Sequence, residues 1–367
     1  MLKLNKVSLE GYKSIKHCRD LKLKNLNVLI GANGSGKSNF LSFFRFLNAA
    51  MRSALQVYVG QQGAAHSILH KGPKVCGEIS ASLQFEDETE TDLYEFRLVY
   101  GAPDNLTFAS EKFQTTPKPG SEIQFSELIA RGSFESAVTN LRHNERIKLF
   151  AHLIGGIGIY HFHDTTLLAG VRGRWRVNDH RVLYANGENL PAVLRFLRDS
   201  YPDAYGRILE TIQLVAPFFA DFILEPPSES PELVMLNWRV KGTDYELGPH
   251  QLSDGTLRFI ALTTLLMQPA ECLPKVIAID EPELGLHPYA IKILASLLHD
   301  AANFTQIIVA TQSAALVDLM EPDDVIVADM VDGATQFERL SREKLKEWLE
   351  EYTLSQLWEM NLVGGRP

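Results

Sequence analysis

The sequence predicts an α/β fold that has a mainly parallel sheet, an antiparallel β subdomain and a helical lobe. The last third of the chain alternates apolar runs with helical segments, which is the pattern of a parallel α/β sheet. Between residues 77 and 113, apolar and polar residues alternate in two-residue steps, as they do in antiparallel strands. Between residues 189 and 219, apolar residues recur at helical spacing, which predicts the helical lobe.

The composition is that of a globular protein without a general affinity for polyanions. The 367 residues carry a net charge of -9, so nucleic acid would need a local basic patch. Cys18, Cys76 and Cys272 are scattered, which excludes a disulfide framework and indicates a reducing cytoplasm. The start of the chain is charged rather than signal-like, and no apolar run approaches the roughly 20 residues that span a bilayer. Direct membrane insertion is therefore not expected.

The first third begins with two predicted strands, at residues 2–9 and 26–30, which the turn "EGYKSIKH" joins. A helix is predicted from Lys37 over "KSNFLSFFRFLNAAM", because its apolar residues recur at helical spacing. "EISASLQF" and "YEFRLVY" are predicted strands of the antiparallel subdomain. "TTPKPGSE" is predicted to be a loop, and helical pattern resumes near Phe125.

The middle of the chain predicts a strand, a loop, helices and further strands in turn. "GIGIYHFHDTT" is strand-like and runs into an arginine-rich loop, "GVRGRWRVNDHR". "NLPAVLRFLRDS" and "AYGRILETIQLVAPFF" are predicted helices. "LVMLNWRV" and "DYELGPHQLS" are predicted strands, which lead into the turn "QLSDGTLRF" and the helix "GTLRFIALTTLLMQ".

The last third has the strongest alternation. "KVIAIDE", "QIIVATQS" and "DDVIVADM" are predicted strands, with the helices "PYAIKILASLLHDAA" and "ALVDLM" between them. "SREKLKEWLEEYTLSQLWEM" predicts an amphipathic helix with Ser341 as its cap and Leu345, Trp348, Leu349 and Tyr352 on one face. We divide the chain into an N-terminal segment, 1–75, a β subdomain with a helical insertion, 76–250, and a C-terminal α/β segment, 251–367.

A phosphate-binding loop is predicted at "GANGSGKS", which matches G-x-x-x-x-G-K-[ST] in full and lies between an apolar strand and a helix. Glycines let successive backbone N–H groups point at an anion, and the helix N-terminus adds partial positive charge. Lys37 would reach the β- and γ-phosphates, and Ser38 would ligate Mg²⁺. The predicted nucleotide contacts are Gly31, Ala32, Asn33, Gly34, Ser35, Gly36, Lys37, Ser38 and Asn39. The alternative is a chance glycine-rich turn.

Acidic and polar residues follow two later apolar strands. In "KVIAIDEPE", Asp280 would hold Mg²⁺ and Glu281 would polarise the attacking water as a general base. The alternative is an acidic loop that caps the next helix. In "IIVATQSAA", Thr311, Gln312 and Ser313 end a strand, and Gln312 would sense the γ-phosphate. A simple turn with Ser313 as a helix cap is the alternative.

The turn "LSDGT" predicts a second anion site. Ser253, Asp254 and Gly255 precede a helix whose first N–H groups lack helical partners. Because the phosphate-binding loop already surrounds its own nucleotide, we expect this turn to bind the γ-phosphate held by another subunit.

Three smaller groups of residues each have two possible interpretations. His161 and His163 alternate on a strand, where they are either metal ligands or polar residues that close the strand. Arg172, Arg174 and Arg176, with Trp175 between them, suit nucleic-acid phosphates and bases or form a solvated loop. Lys13 and Ser14 either approach the nucleotide or are ordinary surface residues.

Taken in order, "GANGSGKS", "LSDGT", "VIAIDEPELGLHP" and "IVATQS" resemble the motifs of ABC-type ATPase heads of the SMC/RecF/OLD group. "LEGYKSIKH" and "LKEWLEEYTLSQLWEMNLVGGRP" are similar to the two ends of stand-alone bacterial ATPases of the RecF/OLD-like class. The resemblance covers nearly the whole chain, as a single head over 1–367, and it implies a P-loop NTPase fold of the AAA family.

The resemblance also implies roles for individual residues. Residues 31–38 would be the Walker A loop, 253–255 the signature motif that acts across a dimer, and Asp280 with Glu281 the Walker B motif. "LGLH", which ends at His287, takes the place of the D-loop. Gln312 takes the place of the switch histidine, and because glutamine cannot accept a proton as histidine does, the hypothesis is slow turnover.

Two features of the related proteins are missing from this sequence. No glutamine matches the Q-loop, so His163 and Asp164 are the candidates for that role. The sequence ends too soon after Gln312 for the metal-dependent nuclease domain of OLD proteins, so the chain is not expected to be a nuclease by itself.

The function that this implies is an ATPase that uses ATP and Mg²⁺ and forms an ATP-sandwiched homodimer. The dimer would act as a switch or clamp in DNA maintenance or anti-phage defence, with DNA and an effector protein as candidate partners. One alternative is the nucleotide-binding subunit of a membrane transporter, which usually has "LSGGQ" and a shorter spacing before it. Another is a nucleotide-dependent regulatory scaffold without significant hydrolysis.

Overall fold

The chain forms two compact units, each described here by itself. The computed structural model describes residues 2–118, 125–130, 132–138 and 144–366, with the backbone alone for 125–130. The terminal unit consists of Met1–Ile157 with Met320–Pro367, and the central unit is Gly158–Leu319. Within the described ranges, no helix combines the length and the apolarity needed to cross a bilayer.

The terminal unit begins with a strand-rich segment. Its strands are β1 (Lys3–Tyr12), β2 (Ile15–Lys22), β3 (Leu26–Ile30), β4 (Glu78–Glu86), β5 (Glu90–Gly101), β6 (Asn105–Pro117) and β7 (Phe125–Ala130). Its first helices are α1 (Lys37–Met51), α2 (Leu55–Gln61), α3 (Ala65–Ile68) and α4 (Glu145–Gly155). All of these strands except β3 form one antiparallel sheet in the order β2-β1-β4-β5-β6-β7. The predicted antiparallel subdomain is therefore confirmed, and α1 has the predicted bounds.

Alternation along the strands explains why this sheet packs on α1. In β4, Ile79, Ala81, Leu83 and Phe85 are buried, while Ser80, Ser82 and Gln84 between them are partly exposed. Phe96 of β5 stacks on Phe46 of α1 with 6.3 Å between ring centroids. Burial of each large apolar side chain contributes roughly 1.5–3 kcal/mol, so this interface is a main source of stability in the terminal unit.

Two predictions for the N-terminal part of this unit, Met1–Ile157, are wrong. The predicted turn "EGYKSIKH" is mostly strand, because β2 pairs with β1 and only Lys13 and Ser14 separate them. In β2 the buried residues are three apart, and a register shift accompanies them, so the two-residue alternation that signals a strand is hidden. The segment at Phe125 is strand β7 rather than a helix, and it pairs with β6. Helix α4 begins only at Glu145, where Asn144 accepts from two backbone N–H groups.

The central unit contains a small parallel sheet surrounded by helices. Its strands are β8 (Gly158–Tyr160), β9 (Trp175–Arg176), β10 (Phe219–Ile223), β11 (Leu233–Val234), β12 (Asn237–Val240), β13 (Glu246–Leu247), β14 (Val276–Asp280) and β15 (Gln306–Ala310). Its helices are α5 (Leu190–Ser200), α6 (Pro202–Val215), α7 (Asp254–Leu266), α8 (Pro288–Ala301) and α9 (Ala314–Val317). β14 pairs in parallel with β8 and with β15, and β15 is buried throughout. The helix predicted to run to Phe219 ends at Val215, because Phe219 begins β10.

The terminal unit is completed by β16 (Val325–Val331), β17 (Ala334–Arg339), α10 (Arg342–Leu345) and α11 (Leu354–Glu359). β16 runs parallel to β3 and antiparallel to β17. The sequence analysis missed β17 and predicted one amphipathic helix from Ser341 onward. Two short helices and a 3₁₀ turn occur instead, and Ser341 makes no side-chain cap. Trp348 of the predicted apolar face is 47% exposed, whereas Leu354, Leu357 and Trp358 are buried.

Candidate functional site

The phosphate-binding loop lies between the buried strand β3 and helix α1. Gly31, Gly34 and Gly36 have φ angles of 151°, 79° and 104°, which fold the backbone into a compact turn. Lys37 is buried, and its Nζ donates to the carbonyl oxygens of Gly31 at 2.6 Å and Ala32 at 2.9 Å. The lysine side chain therefore lies along the loop itself, with its ammonium group at two carbonyl oxygens of the loop.

Ser14 and Thr335 support the loop at Gly36. A Cβ at Gly36 would lie 2.1 Å from Thr335 Oγ1 and 2.8 Å from Ser14 Oγ, so only glycine fits there. Thr335 donates to Ser14 Oγ at 2.7 Å, and Asn39 Nδ2 donates to the same oxygen at 2.8 Å. Ser14 is thus next to the loop. Lys13 instead donates to Ser42 Oγ and Gln62 Oε1, and burial lowers its pKa.

Ser35 shows that the residues of the loop fit a phosphate. Its Oγ is buried and has no hydrogen-bond partner among the described residues. A buried hydroxyl without a partner is costly, so it marks a position where a ligand oxygen would be favourable. Gly31 lies beside this hydroxyl, since a Cβ there would be 2.7 Å from Ser35 Oγ, and the backbone N–H groups of such a glycine-rich turn are suitable donors to a phosphate.

The end of β14 in the central unit positions the two acidic residues of the predicted Walker B motif. Glu281 follows Asp280 and has a φ of 45°, an uncommon conformation for a residue that is not glycine. Its N–H donates to Ala310 O at 2.8 Å, which fixes the backbone there. Its Oε1 accepts from Gln312 Nε2 at 2.8 Å. The structure therefore brings Glu281 and Gln312 together as a hydrogen-bonded pair.

Glu283 is a neighbouring carboxyl group that the sequence analysis missed. Thr311 Oγ1 donates to Glu283 Oε1 at 2.6 Å, and the backbone N–H of Gln312 donates to the same oxygen at 3.3 Å. Burial raises the pKa of Glu283, and the nearby charge of Glu281 raises it further. Glu283 thus fixes the end of β15, while Ser313 caps α9, as the alternative interpretation of this turn has it. No sequence signal separates Glu283 from the other acidic residues of "DEPELG".

His163 contacts the Walker B strand end. Its Nε2 lies 3.0 Å from the carbonyl oxygen of Asp280. Asp164 is exposed, and its hydrogen bond from Thr166 lowers its pKa. Across the described ranges, no group of three or more His, Cys, Asp and Glu side chains is arranged to hold a metal ion, which disfavours His161 and His163 as metal ligands. Of the two Q-loop candidates, His163 is the one in contact with Asp280.

The predicted signature turn is the N-terminus of α7. Ser253 caps this helix, since its Oγ accepts from the Thr256 N–H at 3.1 Å. A Cβ at Gly255 would lie only 2.5 Å from the carbonyl oxygen of Gly285, so the turn packs directly on the segment that follows Walker B. His287 of that segment caps α8. Asp254 Oδ1 accepts from Arg172 at 2.8 Å, which turns this carboxylate toward an arginine.

The arginine-rich loop is divided between buried and exposed residues. Arg172 is only 4% exposed and donates to the turn before α7, so it is not available to nucleic acid. Arg174 and Arg176 are exposed, while Trp175 is half-buried and donates to Gly170 O. The predicted basic–aromatic cluster of three arginines is therefore wrong for Arg172.

Arg258 of α7 is a further residue that the sequence analysis missed. It donates to the carbonyl oxygens of Phe162, His163 and Leu284 and to Thr165 Oγ1. It thereby ties α7 to the segment after β8 and to the segment after Walker B, all within the central unit.

Solved structures with this fold are SMC head domains. The SMC head bound to the C-terminal winged-helix domain of ScpA is 17% identical, with a TM-score of 0.62, over 94% of this chain and 99% of that chain. The SMC head with an extended coiled coil, bound to the C-terminal domain of ScpA from Pyrococcus furiosus, is 15% identical, with a TM-score of 0.58, over 96% and 99%. The chain is therefore an α/β protein with the fold of an SMC-type, ABC-type ATPase head, as predicted.

The family follows from the sequence. The family AAA_21, described as "AAA domain, putative AbiEii toxin, Type IV TA system", matches residues 26–318. The chain belongs to this AAA family, whose members are ATPases as a class. A comparison with curated proteins gives no match.

Proposed function

We propose that this protein binds and hydrolyses ATP and that two copies form a dimer around two ATP molecules. The observation that carries the proposal is the folded phosphate-binding loop, with Lys37 buried along it and the hydroxyl of Ser35 left without a partner. A buried hydroxyl without a hydrogen-bond partner is unfavourable in a loop that serves structure alone, and a phosphate oxygen would satisfy it. The family and the fold support the same activity.

We assign Ser38 and Asp280 to Mg²⁺ and Glu281 to the attacking water. A hydroxyl and a carboxylate are oxygen ligands of the kind that Mg²⁺ prefers, and the ion would neutralise charge on the β- and γ-phosphates. Glu281 would accept the proton of the water. The hydrogen bond from Gln312 would hold the carboxylate in one orientation, since Gln312 itself cannot take a proton.

We assign the turn at Ser253 and Gly255 to the γ-phosphate bound by the other copy. The turn provides a helix N-terminus, capped by Ser253, whose first backbone N–H groups are of the kind that bind an anion. A γ-phosphate held by both copies would favour the closed dimer, and hydrolysis would remove that bridge.

Ser253→Arg tests this assignment, because the added side chain would block the turn while every residue of the phosphate-binding loop stays unchanged. We expect ATP binding by the monomer to stay within about twofold, while the ATP-dependent dimer and ATP turnover fall by at least about tenfold. Fluorescent-ATP titration and analytical ultracentrifugation measure the two. Ser296→Arg, on the exposed side of α8, is the matched control. If Ser253→Arg abolishes ATP binding by the monomer instead, the assignment across the dimer is wrong.

Glu281→Gln separates hydrolysis from scaffolding. An amide cannot act as the base, so we expect turnover to fall and the ATP-bound dimer to live longer. Equal turnover and equal dimer lifetime for the variant and the wild type would favour a scaffold that does not hydrolyse ATP.

For the output, we propose a switch or clamp in DNA maintenance or anti-phage defence that acts through an effector protein or DNA. Both similar SMC heads were solved with a domain of ScpA bound, which motivates the search for a protein partner here. The ATP-trapped Glu281→Gln dimer, with and without DNA, is the preparation for this search. Co-purification with a membrane protein would instead favour the transporter subunit.

A further inference from the structure

Arg172 is a buried arginine whose donors are directed mainly at the turn before α7. Its Nη1 donates to the carbonyl oxygens of Pro249 and, at 3.3 Å, Leu252, and its Nη2 donates to Leu252 O at 3.3 Å. Nη2 also donates to Asp254 Oδ1 at 2.8 Å, and Nε donates to Thr165 O at 2.9 Å. The planar guanidinium thus connects the loop after β8 to the backbone of Pro249 and Leu252 and to the side chain of Asp254.

This contact determines the shape of the signature turn. Pro249 and Leu252 are buried, and their carbonyl oxygens precede the capping residue Ser253. Buried carbonyl groups require partners, and a fork of rigid N–H donors satisfies several of them in one fixed geometry. Lysine has a single ammonium group and cannot reproduce this pattern.

Arg172 also changes the charge of the turn. Asp254 is 62% exposed at its side chain, and it lies next to the helix N-terminus that we assign to a γ-phosphate. A carboxylate beside a phosphate is repulsive. The ion pair with Arg172 turns the carboxylate toward the central unit's interior and offsets its charge.

The helix is held from a second direction by Arg258. Arg258 donates to Thr165 Oγ1, while Arg172 donates to the carbonyl oxygen of the same Thr165. His163, two residues earlier, contacts Asp280 O at 3.0 Å. One short segment, 162–172, therefore links the Walker B strand end to the signature turn.

We propose that Arg172 is a positioning residue for the ATP bound by the opposite copy. It holds the turn from Pro249 to Asp254 in the shape that receives the γ-phosphate, and it compensates the charge of Asp254. This inference rests on the proposed dimer.

The first test compares Arg172→Ala and Arg172→Lys with Arg174→Ala, a matched control two residues away in the same loop and exposed. In a Glu281→Gln background, we expect the ATP-dependent dimer of Arg172→Ala to weaken by at least about tenfold. The dimer affinity of Arg172→Lys is expected to be intermediate, and that of Arg174→Ala is expected to be unchanged. Fluorescent-ATP binding by the monomer stays within about twofold in all three. A folded Arg172→Lys that dimerises like the wild type would overturn the inference.

Charge removal gives an independent readout. If Asp254 repels the γ-phosphate once Arg172 is absent, the double variant Arg172→Ala/Asp254→Asn recovers part of the lost dimer affinity. Loss of a merely structural contact would not be relieved by removing a second partner of the same network. A double variant that is no better than Arg172→Ala contradicts the charge-compensation part.

Mixing two defective chains decides whether Arg172 acts across the dimer. A Lys37→Ala chain has a defective phosphate-binding loop but an intact signature turn. An Arg172→Ala chain has an intact phosphate-binding loop but a defective signature turn. We expect ATP to drive dimers in the mixture but in neither chain alone. If Arg172 acted on its own chain's ATP, no mixed dimer would form and the inference would fail. Ser253→Arg, measured in parallel, tests the proposed dimer itself. If Ser253→Arg dimerises like the wild type, the proposed dimer is wrong, and the inference about Arg172 fails with it.

Discussion

At the scale of single residues, Gln312 and Glu281 form the contact on which turnover is expected to depend. Gln312 Nε2 donates to Glu281 Oε1 at 2.8 Å, and Glu281 has a left-handed backbone. We expect Gln312→Ala to lower kcat by about tenfold to a hundredfold with a smaller change in KM, because it frees the carboxylate. Steady-state ATPase assays measure both constants.

Gln312→His tests the hypothesis of slow turnover. A histidine at this position can hold and release a proton, so kcat should rise and should depend on pH near neutrality. An ATPase rate that equals the wild-type rate across the pH range would count against a rate limit set by glutamine.

Glu283 gives a prediction about pH. Its folded-state pKa is raised by burial and by Glu281, so on raising the pH the unfolded chain loses this proton before the folded chain does. Ionisation of Glu283 therefore costs the folded protein stability. The free energy of unfolding falls as the pH rises from the ordinary carboxyl pKa to the raised pKa of Glu283. Glu283→Gln removes the effect and should stabilise the protein more at pH 8 than at pH 4, as measured by urea unfolding. Glu229→Gln, an exposed carboxyl of the same unit, should show no such difference.

At the scale of elements, the hairpin of β1 and β2 supports the phosphate-binding loop through Ser14. Ser14→Ala would leave the Asn39 amide and the buried Thr335 hydroxyl without this acceptor, at a cost of about 1–3 kcal/mol. We expect a lower free energy of unfolding and weaker ATP binding together, by denaturant titration and fluorescent-ATP titration. Ser67→Ala, at an exposed position of α3, is the control. A lower free energy of unfolding with unchanged ATP affinity would show that Ser14 stabilises the unit without affecting the phosphate-binding loop.

The elements also show where sequence patterns fail. Helix α1 and strands β14 and β15 were predicted closely, because their apolar spacing is regular and each is long or fully buried. Strand β2 was missed because its buried residues do not alternate, and β7 because its pairing partner β6 decides its conformation. The end of the chain was predicted as one helix because its apolar residues recur at helical spacing. That spacing does not show which side chains are buried in the folded protein.

At the scale of the whole molecule, distant parts of the chain meet at the first residue of the phosphate-binding loop. Trp358 is fully buried and donates to the carbonyl oxygen of Gly365 at 2.5 Å. A Cβ at Gly365 would lie 2.6 Å from Val327 Cγ1, 3.1 Å from Ala328 O and 3.5 Å from Gly31 Cα. The segment after α11 is thus packed against β16 and Gly31, all within the terminal unit.

Gly365→Ala should therefore affect both stability and ATP binding. The added Cβ meets Val327, and the φ of 61° is unfavourable for alanine, so we expect a loss of about 1–3 kcal/mol. The segment must shift, and Gly31 with it, which should weaken ATP binding. Gly364→Ala is the matched control, because its φ is 79° but its nearest neighbours are 3.8 Å away. Equal ATP affinities for the two variants would show that the packing of the segment after α11 does not affect ATP binding.

The sequence by itself determined the fold class and the positions of the motifs from which we predict a nucleotide site. A phosphate-binding loop and an acidic strand end are local motifs, in which adjacent residues supply both the backbone shape and the reacting groups. Their positions could therefore be predicted before any contact was known, although their roles remain proposals.

Only the tertiary structure decided which other residues support those motifs. Arg172, Arg258 and Glu283 come from separate segments of the central unit, and Ser14 and Thr335 from opposite ends of the chain. Each makes its contact across a sequence distance over which no spacing rule applies. Whether a polar side chain is solvated or buried against a functional turn depends on packing, and packing follows from the whole chain rather than from any one segment.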